Sequence, residues 1–361
     1  MRSRVPIIIA VAIVLIAALW TALIRVGWEL PSAGGVTAIQ HGALMVCGFL
    51  GTLISLERAV ALKYPWTYLG PACSGLGAVL IILGFPALIG QMLIMLAGFC
   101  LVVVFITIYR MHPSIDTGVM GIGSILWLVG NIVWASHHPI FHAVPWWAAF
   151  LILTVAGERL ELSRVLRPSR RAKGAFVTVV GLIGLGLIVS LASFTWGVRI
   201  SGVGLIGLAG WLMINDIARR TIHRTGLTRY IAACLLPGYA WMALGGLLWV
   251  LDAPLFVGGM AYDAMLHTLF LGFVFSMIFG HAPIILPAVV NVPVNYTPRF
   301  YAHLTLLHAS LIVRIVGDLT LTPALQHWGG LLNVCAVLLF LGSTVLATRP
   351  STVGGAIRHA A

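Results

Sequence analysis

Apolar residues fill this chain in long runs, and short polar clusters break them. Twelve runs can be marked, at 6–24, 36–56, 68–85, 87–108, 117–136, 143–162, 174–195, 198–218, 229–250, 259–280, 299–317 and 324–347. Each is close to the ~20 residues that a helix needs to cross the hydrocarbon of a bilayer. The third is short and glycine-rich, and Pro86 divides it from the fourth. The pattern predicts an all-α polytopic bundle of about twelve transmembrane helices, forming one transmembrane domain over residues 1–361. The first run has no A-x-A-like cleavage site before Arg25 and is expected to stay as a helix rather than leave as a signal peptide.

Composition agrees with this pattern. Of 361 residues, 60% are hydrophobic and 8% charged, and mean hydropathy is +1.06. Soluble domains carry roughly a quarter charged residues, so a soluble enzyme and a disordered chain are both excluded. The net charge of +12 lies in short patches between apolar runs, which points to membrane topology and not to a nucleic-acid partner. With the N-terminus in the cytoplasm, 18 of the 21 Lys and Arg fall on cytoplasmic sides, from Arg2 and Arg4 to Arg349 and Arg358. Arg25 and Arg199 fall outside, and Arg314 lies within a run. The expectation is a bacterial-type cytoplasmic (inner) membrane protein with both termini cytoplasmic. Cys47, Cys73, Cys100, Cys234 and Cys335 form no C-x-x-C pair and read as small apolar residues.

A weak internal repeat is visible. His41 precedes Glu57-Arg58 by sixteen residues, and His142 precedes Glu158-Arg159 by the same spacing. Three four-helix units at 1–116, 117–225 and 226–361 accommodate this, with His267 in the equivalent place of the third.

Aliphatic helices need no histidine, so an intramembrane imidazole suggests function. His41 and His267 lie near the outer ends of the second and tenth runs, at depths of about 8 and 12 Å. Two neutral imidazoles at similar depth on different helices can ligate one haem iron from both faces. Gly42, Gly48, Gly51 and Gly272 leave room for a macrocycle or another helix. For either histidine alone, an interhelical hydrogen bond is the competing explanation.

The stretch Gln40-His41-Gly42-Ala43-Leu44-Met45 resembles the H-G-x-x-M motif in the second helix of haem-copper oxidase subunit I. There the histidine binds the low-spin haem with a partner from the tenth helix. His267, Gly272, Met277 and Gly280 are similar to an H-x4-G-x4-M-x2-G pattern in the NnrS family, which is haem- and copper-associated and linked to nitric oxide. The resemblance implies three four-helix arcs and a b-type haem on His41 and His267, with copper as a second candidate cofactor. It also implies Arg314 as a propionate partner, and a role in electron transfer or in nitric oxide or oxygen chemistry with a redox partner or a gas ligand. The departures matter. The seventh run has no histidine, and Leu269 stands where the oxidases have the second histidine of H-x-H. Oxidase-type binuclear catalysis is therefore not expected.

His137, His138 and His142 form an outer loop that offers imidazoles to copper or zinc or leaves them solvated. His281, His303 and His308 are further candidate metal ligands, with hydrogen bonding at segment ends as the plainer reading. Arg314 and Asp318 are i,i+4 neighbours and are expected to pair. Glu57-Arg58 and Glu158-Arg159 read as interface anchors paired across the bundle, and not as a proton path. Glu57, Glu158, Glu161, Asp216, Asp252 and Asp263 lie near segment ends, which weakens a second reading as a secondary transporter. A cofactor-free membrane assembly protein is the third.

Overall fold

Twelve helices long and apolar enough to span a membrane are present in the computed structural model, which describes residues 4–31 and 38–348. In chain order they are α1 (Val5–Arg25), α2 (Ala38–Leu62), α3 (Pro65–Ile82), α4 (Ala87–Met111), α5 (Ile115–Ala135) and α6 (Ile140–Leu166). The second half holds α7 (Arg170–Ser190), α8 (Phe194–Asn215), α9 (Gly226–Leu251), α10 (Gly259–Val290), α11 (Phe300–Leu319) and α12 (Pro323–Leu346). All twelve expected runs appear as helices, and the described residues contain no strand. Arg2, Arg349 and Arg358, three of the charges expected on the cytoplasmic side, lie outside the described residues.

Local chemistry sets the boundaries. Ser114 and Ser169 cap α5 and α7 by accepting from the backbone N–H of Thr117 and Ala172. Lys63 ends α2 and Asn291 ends α10 in the left-handed conformation. Burial ranks the helices. α6 is the most enclosed, with Trp147 and Phe150 fully buried, while α1 and α7 present many aliphatic side chains outward. Outward Ile9, Ile13, Ile16, Ile188 and Leu191 leave an apolar surface that suits lipid contact.

Polar residues tie the centre together. Buried Asn131 on α5 accepts from Trp147 Nε1 on α6 at 3.0 Å and from the Cys47 thiol on α2 at 3.3 Å. Cys47, Cys73, Cys100 and Cys234 are buried and Cys335 is exposed; all five are free thiols.

α2 and α10 differ from their neighbours. α2 opens with a 3-10 turn at Ala38–Gln40 and a short α-helical stretch at His41–Ala43, and α10 opens as an α-helix; each then passes through an eight-residue π-helical stretch, at Leu44–Gly51 or Thr268–Phe275, and returns to α-helix. Each stretch begins within three residues of His41 or His267. π-helical turns are rare and often accompany functional sites.

Candidate functional site

A column of α1, α2, α6, α10 and α12 encloses two cavities, one toward each face of the bundle. The first, of about 110 Å³, lies toward the face away from the N-terminus and is also lined by Arg314 on α11. Its polar lining comes from Arg25, His41, Tyr262, Asp263, His267, Arg314 and Asn333, set among aliphatic and aromatic side chains.

His41 and His267 meet across this cavity. Their ring centres are 6.4 Å apart and their planes differ by 17°. His41 Nδ1 lies 2.9 Å from the Ala18 carbonyl on α1, and His267 Nδ1 lies 2.8 Å from the Asp263 carbonyl one turn back. A carbonyl only accepts, so each Nδ1 carries the proton and donates it. Each Nε2 therefore keeps its lone pair, the state in which imidazole ligates a metal. A backbone or carboxylate acceptor on the other ring nitrogen is the usual support for such a ligand.

The Asp263 carboxylate lies 3.3 Å from His267 Nδ1 and accepts from Arg314 Nε at 2.7 Å and Nη2 at 3.0 Å. This corrects the expected i,i+4 pair: Arg314 binds Asp263 across helices, not Asp318 along its own. The geometry is bidentate, which fits planar guanidinium to carboxylate better than a one-turn reach along α11. Asp318 is buried nearby, facing Asp263, Arg314 and Gln326, with neither carboxylate oxygen in hydrogen-bond geometry. Asp263 was legible only as a segment-end residue, yet it is 5% exposed and central to the site. Arg25 also lines the cavity and makes no ion pair among the described residues; the sequence marked it only as a loop charge.

The four glycines divide. A Cβ on Gly42 would meet nothing within 4 Å, so this residue opens the wall beside His41. Gly48, Gly51 and Gly272 pack against Val14 and Ala78, Trp127, and Trp241 respectively, and serve helix contact.

The remaining histidines are not gathered at this cavity. His303 is saturated, with Nε2 2.8 Å from the Tyr230 hydroxyl and Nδ1 3.0 Å from Ser343 Oγ. His308 Nδ1 accepts from Trp241 Nε1 at 3.0 Å. His281 donates Nδ1–H to the Met277 carbonyl at 2.7 Å, and its Nε2 lies 3.1 Å from Arg159 Nη1. His138 and His142 have ring centres 5.8 Å apart, and His142 packs on Phe141 and Phe194. His137, on the same loop, adopts a left-handed backbone. Among the described residues, no group of three or more His, Cys, Asp or Glu is arranged to hold a metal ion. His41 with His267 and His138 with His142 are close imidazole pairs, and only the first lies on the cavity.

The second cavity, of about 300 Å³, lies toward the N-terminal face and carries Glu57, Glu158, His281 and Thr154 among apolar side chains. Arg58 bonds Glu158 across the bundle and lies 3.5 Å from Glu57. Arg159 bonds Asp216 in a bidentate pair at 2.7 and 3.0 Å. The expected cross-bundle pairing is thus present for Arg58 with Glu158.

The chain belongs to the family described as domain of unknown function DUF8744, which it matches over residues 4–349. Neither a curated protein nor a solved structure matches it.

Proposed function

We propose that the cavity away from the N-terminus binds a b-type haem, with His41 and His267 as its two axial ligands. The observation that carries this reading is the imidazole pair. Where two imidazoles point their Nε2 atoms at one metal, a metal–nitrogen bond of about 2.0 Å on each side, plus about 1.1 Å from each nitrogen to its ring centre, sets the centres about 6.2 Å apart. The observed separation is 6.4 Å with near-parallel rings, and both Nε2 atoms hold lone pairs. Arg25 and Arg314 supply two guanidiniums for two propionates. Gly42 gives the macrocycle an open wall. At about 110 Å³ the cavity is small, so occupancy displaces the apolar rim formed by Ile39, Ile140, Leu266 and Phe270.

Bound there, the haem supplies one-electron chemistry. With His41 and His267 both holding it, the group would suit electron transfer better than gas activation. This fits a protein resembling the NnrS family and haem-copper oxidase subunit I, acting with a redox partner in a small-gas response. His41 holds its orientation through Ala18, and His267 through Asp263 and Arg314. The 18-of-21 charge asymmetry supports both termini in the cytoplasm of a bacterial-type inner membrane. Reporter fusions after Arg171 and Arg224 are expected to read cytoplasm and those at His138 and Asp252 the outer side; one reversal overturns the orientation.

The test of the haem is a visible spectrum of the detergent-purified protein. His41→Ala and His267→Ala each lose the low-spin signal, and His303→Ala keeps it. A colourless wild type, or an unaltered haem signal in both mutants, overturns the assignment. A secondary transporter or an assembly protein predicts a colourless protein.

A further inference from the structure

The second cavity is not used by the reading above. It extends along α1 from Ile8 to Ile16 and along α2 from Phe49 to Glu57, about 12 Å in each case. Its charged and imidazole groups, Glu57, Glu158 and His281, gather toward the N-terminal face, and the remainder is largely apolar. Ile16 lines it while being 53% exposed on the outside of the bundle, so the cavity reaches the surface that suits lipid contact. The occupant these features call for is an amphiphile with a long apolar body and a compact polar head.

Charge narrows the head. Glu57, Glu158 and Asp216 face two guanidiniums, Arg58 and Arg159. His281 is a neutral imidazole already engaged at both nitrogens. The surplus is one of acceptors, centred on Glu57, whose contact with Arg58 is the looser at 3.5 Å. A phosphate or fatty-acid head meets repulsion here, whereas a hydroxyl head finds acceptors.

Position narrows it further. Leu50 lines both cavities, and the Phe49 and Phe275 rings, one from each cavity wall, lie 6.4 Å apart at 25°. The partition between the cavities is therefore a single apolar layer. We infer that the second cavity binds a membrane hydroquinone that donates electrons to the first cavity; the donation step rests on the haem reading. In balanced form, one hydroquinone would give one quinone, two protons and two electrons; the electrons would pass in turn to the single haem held by His41 and His267, which the redox partner, a one-electron acceptor, would reoxidise between them. Both O–H bonds break, and the electrons cross the Leu50 layer one at a time. Each proton passes to the Glu57 carboxylate and leaves at the N-terminal face before the next.

The experiment uses the purified full chain with decylubiquinol and its oxidised form as probes. Decylubiquinone is expected to bind saturably and to lose that binding in Leu53→Trp, which fills the cavity. Decylubiquinol is expected to reduce the ferric haem in stopped flow, at least tenfold more slowly in Glu57→Gln, whose haem spectrum stays unchanged. Haem present with no saturable binding, or with rates indifferent to both substitutions, overturns the proposal and leaves the haem reading intact. A phospholipid that occupies the cavity and resists displacement by decylubiquinone also overturns it. If the protein carries no haem, the haem reading and the donation step fall together, and the binding arm alone decides whether the cavity takes a quinone.

Discussion

The two cavities use the same motif to different ends. Each places one arginine before two carboxylates: Arg314 before Asp263 and Asp318, and Arg58 before Glu57 and Glu158. The first trio is buried, with Arg314, Asp263 and Asp318 at 4%, 5% and 1% exposure. The second is half-buried near the bundle end. A buried guanidinium has no water to fall back on, so its partners must be fixed, and Asp263 in turn fixes His267. At the bundle end the Arg58, Glu57 and Glu158 side chains are 15%, 26% and 21% exposed, and Glu57 lies 3.5 Å from Arg58, a looser contact than either Arg314–Asp263 bond. One motif thus acts as a rigid support in one place and as an adaptable acceptor in the other.

The largest expected effect tests that contrast. Arg314→Met strands the buried Asp263 carboxylate, which loses both of its guanidinium bonds, and is expected to cost about 3–5 kcal/mol. Arg58→Met leaves its carboxylates within reach of water and is expected to cost about 1 kcal/mol or less. Thermal unfolding in detergent compares the two, and equal losses would remove the distinction.

A second, smaller contrast lies in the glycines. A Cβ at Gly272 would sit 2.5 Å from Trp241, whose indole also donates to His308. Gly272→Ala is therefore expected to destabilise by about 1–3 kcal/mol through overpacking. Gly42→Ala meets nothing within 4 Å and is expected to leave stability unchanged or slightly raised. The same unfolding assay checks both, and matching losses would show that Gly42 also packs against a helix.

What could be read from the chain follows from these physical differences. The spans were legible because twenty-odd apolar residues in a row have few other uses. The pairing of His41 with His267 was legible because both helices start at the same face and depth along a helix is a count of residues. Partners across helices were not legible. The i,i+4 rule sees only along one helix, so it offered Asp318 to Arg314 and left Asp263 as a segment end. The π-helical stretches carry no compositional mark, since LMVCGFLG and TLFLGFVF are as apolar as their flanks. Arg25 read as a loop charge because nothing in its own segment shows that the end of α1 opens on the cavity.

The smallest expected effect concerns Arg25. If Arg314 were the only cation available to a propionate, Arg25→Gln would be silent. Arg314, however, already commits two of its five N–H donors to Asp263, and with them the fork that would grip a second carboxylate on that side. Arg25 lines the same cavity with no ion pair among the described residues, and its guanidinium is exposed, so water screens what it adds. A charge-assisted bond in that setting contributes about 1 kcal/mol, or roughly fivefold in affinity. Arg25→Gln is thus expected to keep the low-spin spectrum, because the axial ligands are untouched, while haem transfer to apomyoglobin speeds up about fivefold. Arg25→Lys retains the charge and is expected to recover part of that loss. Loss of the spectrum in Arg25→Gln would mean that Arg25 supports His41 itself. An unchanged transfer rate would leave the propionates to Arg314 alone, and with them the argument that its bidentate pairing with Asp263 persists when haem is bound.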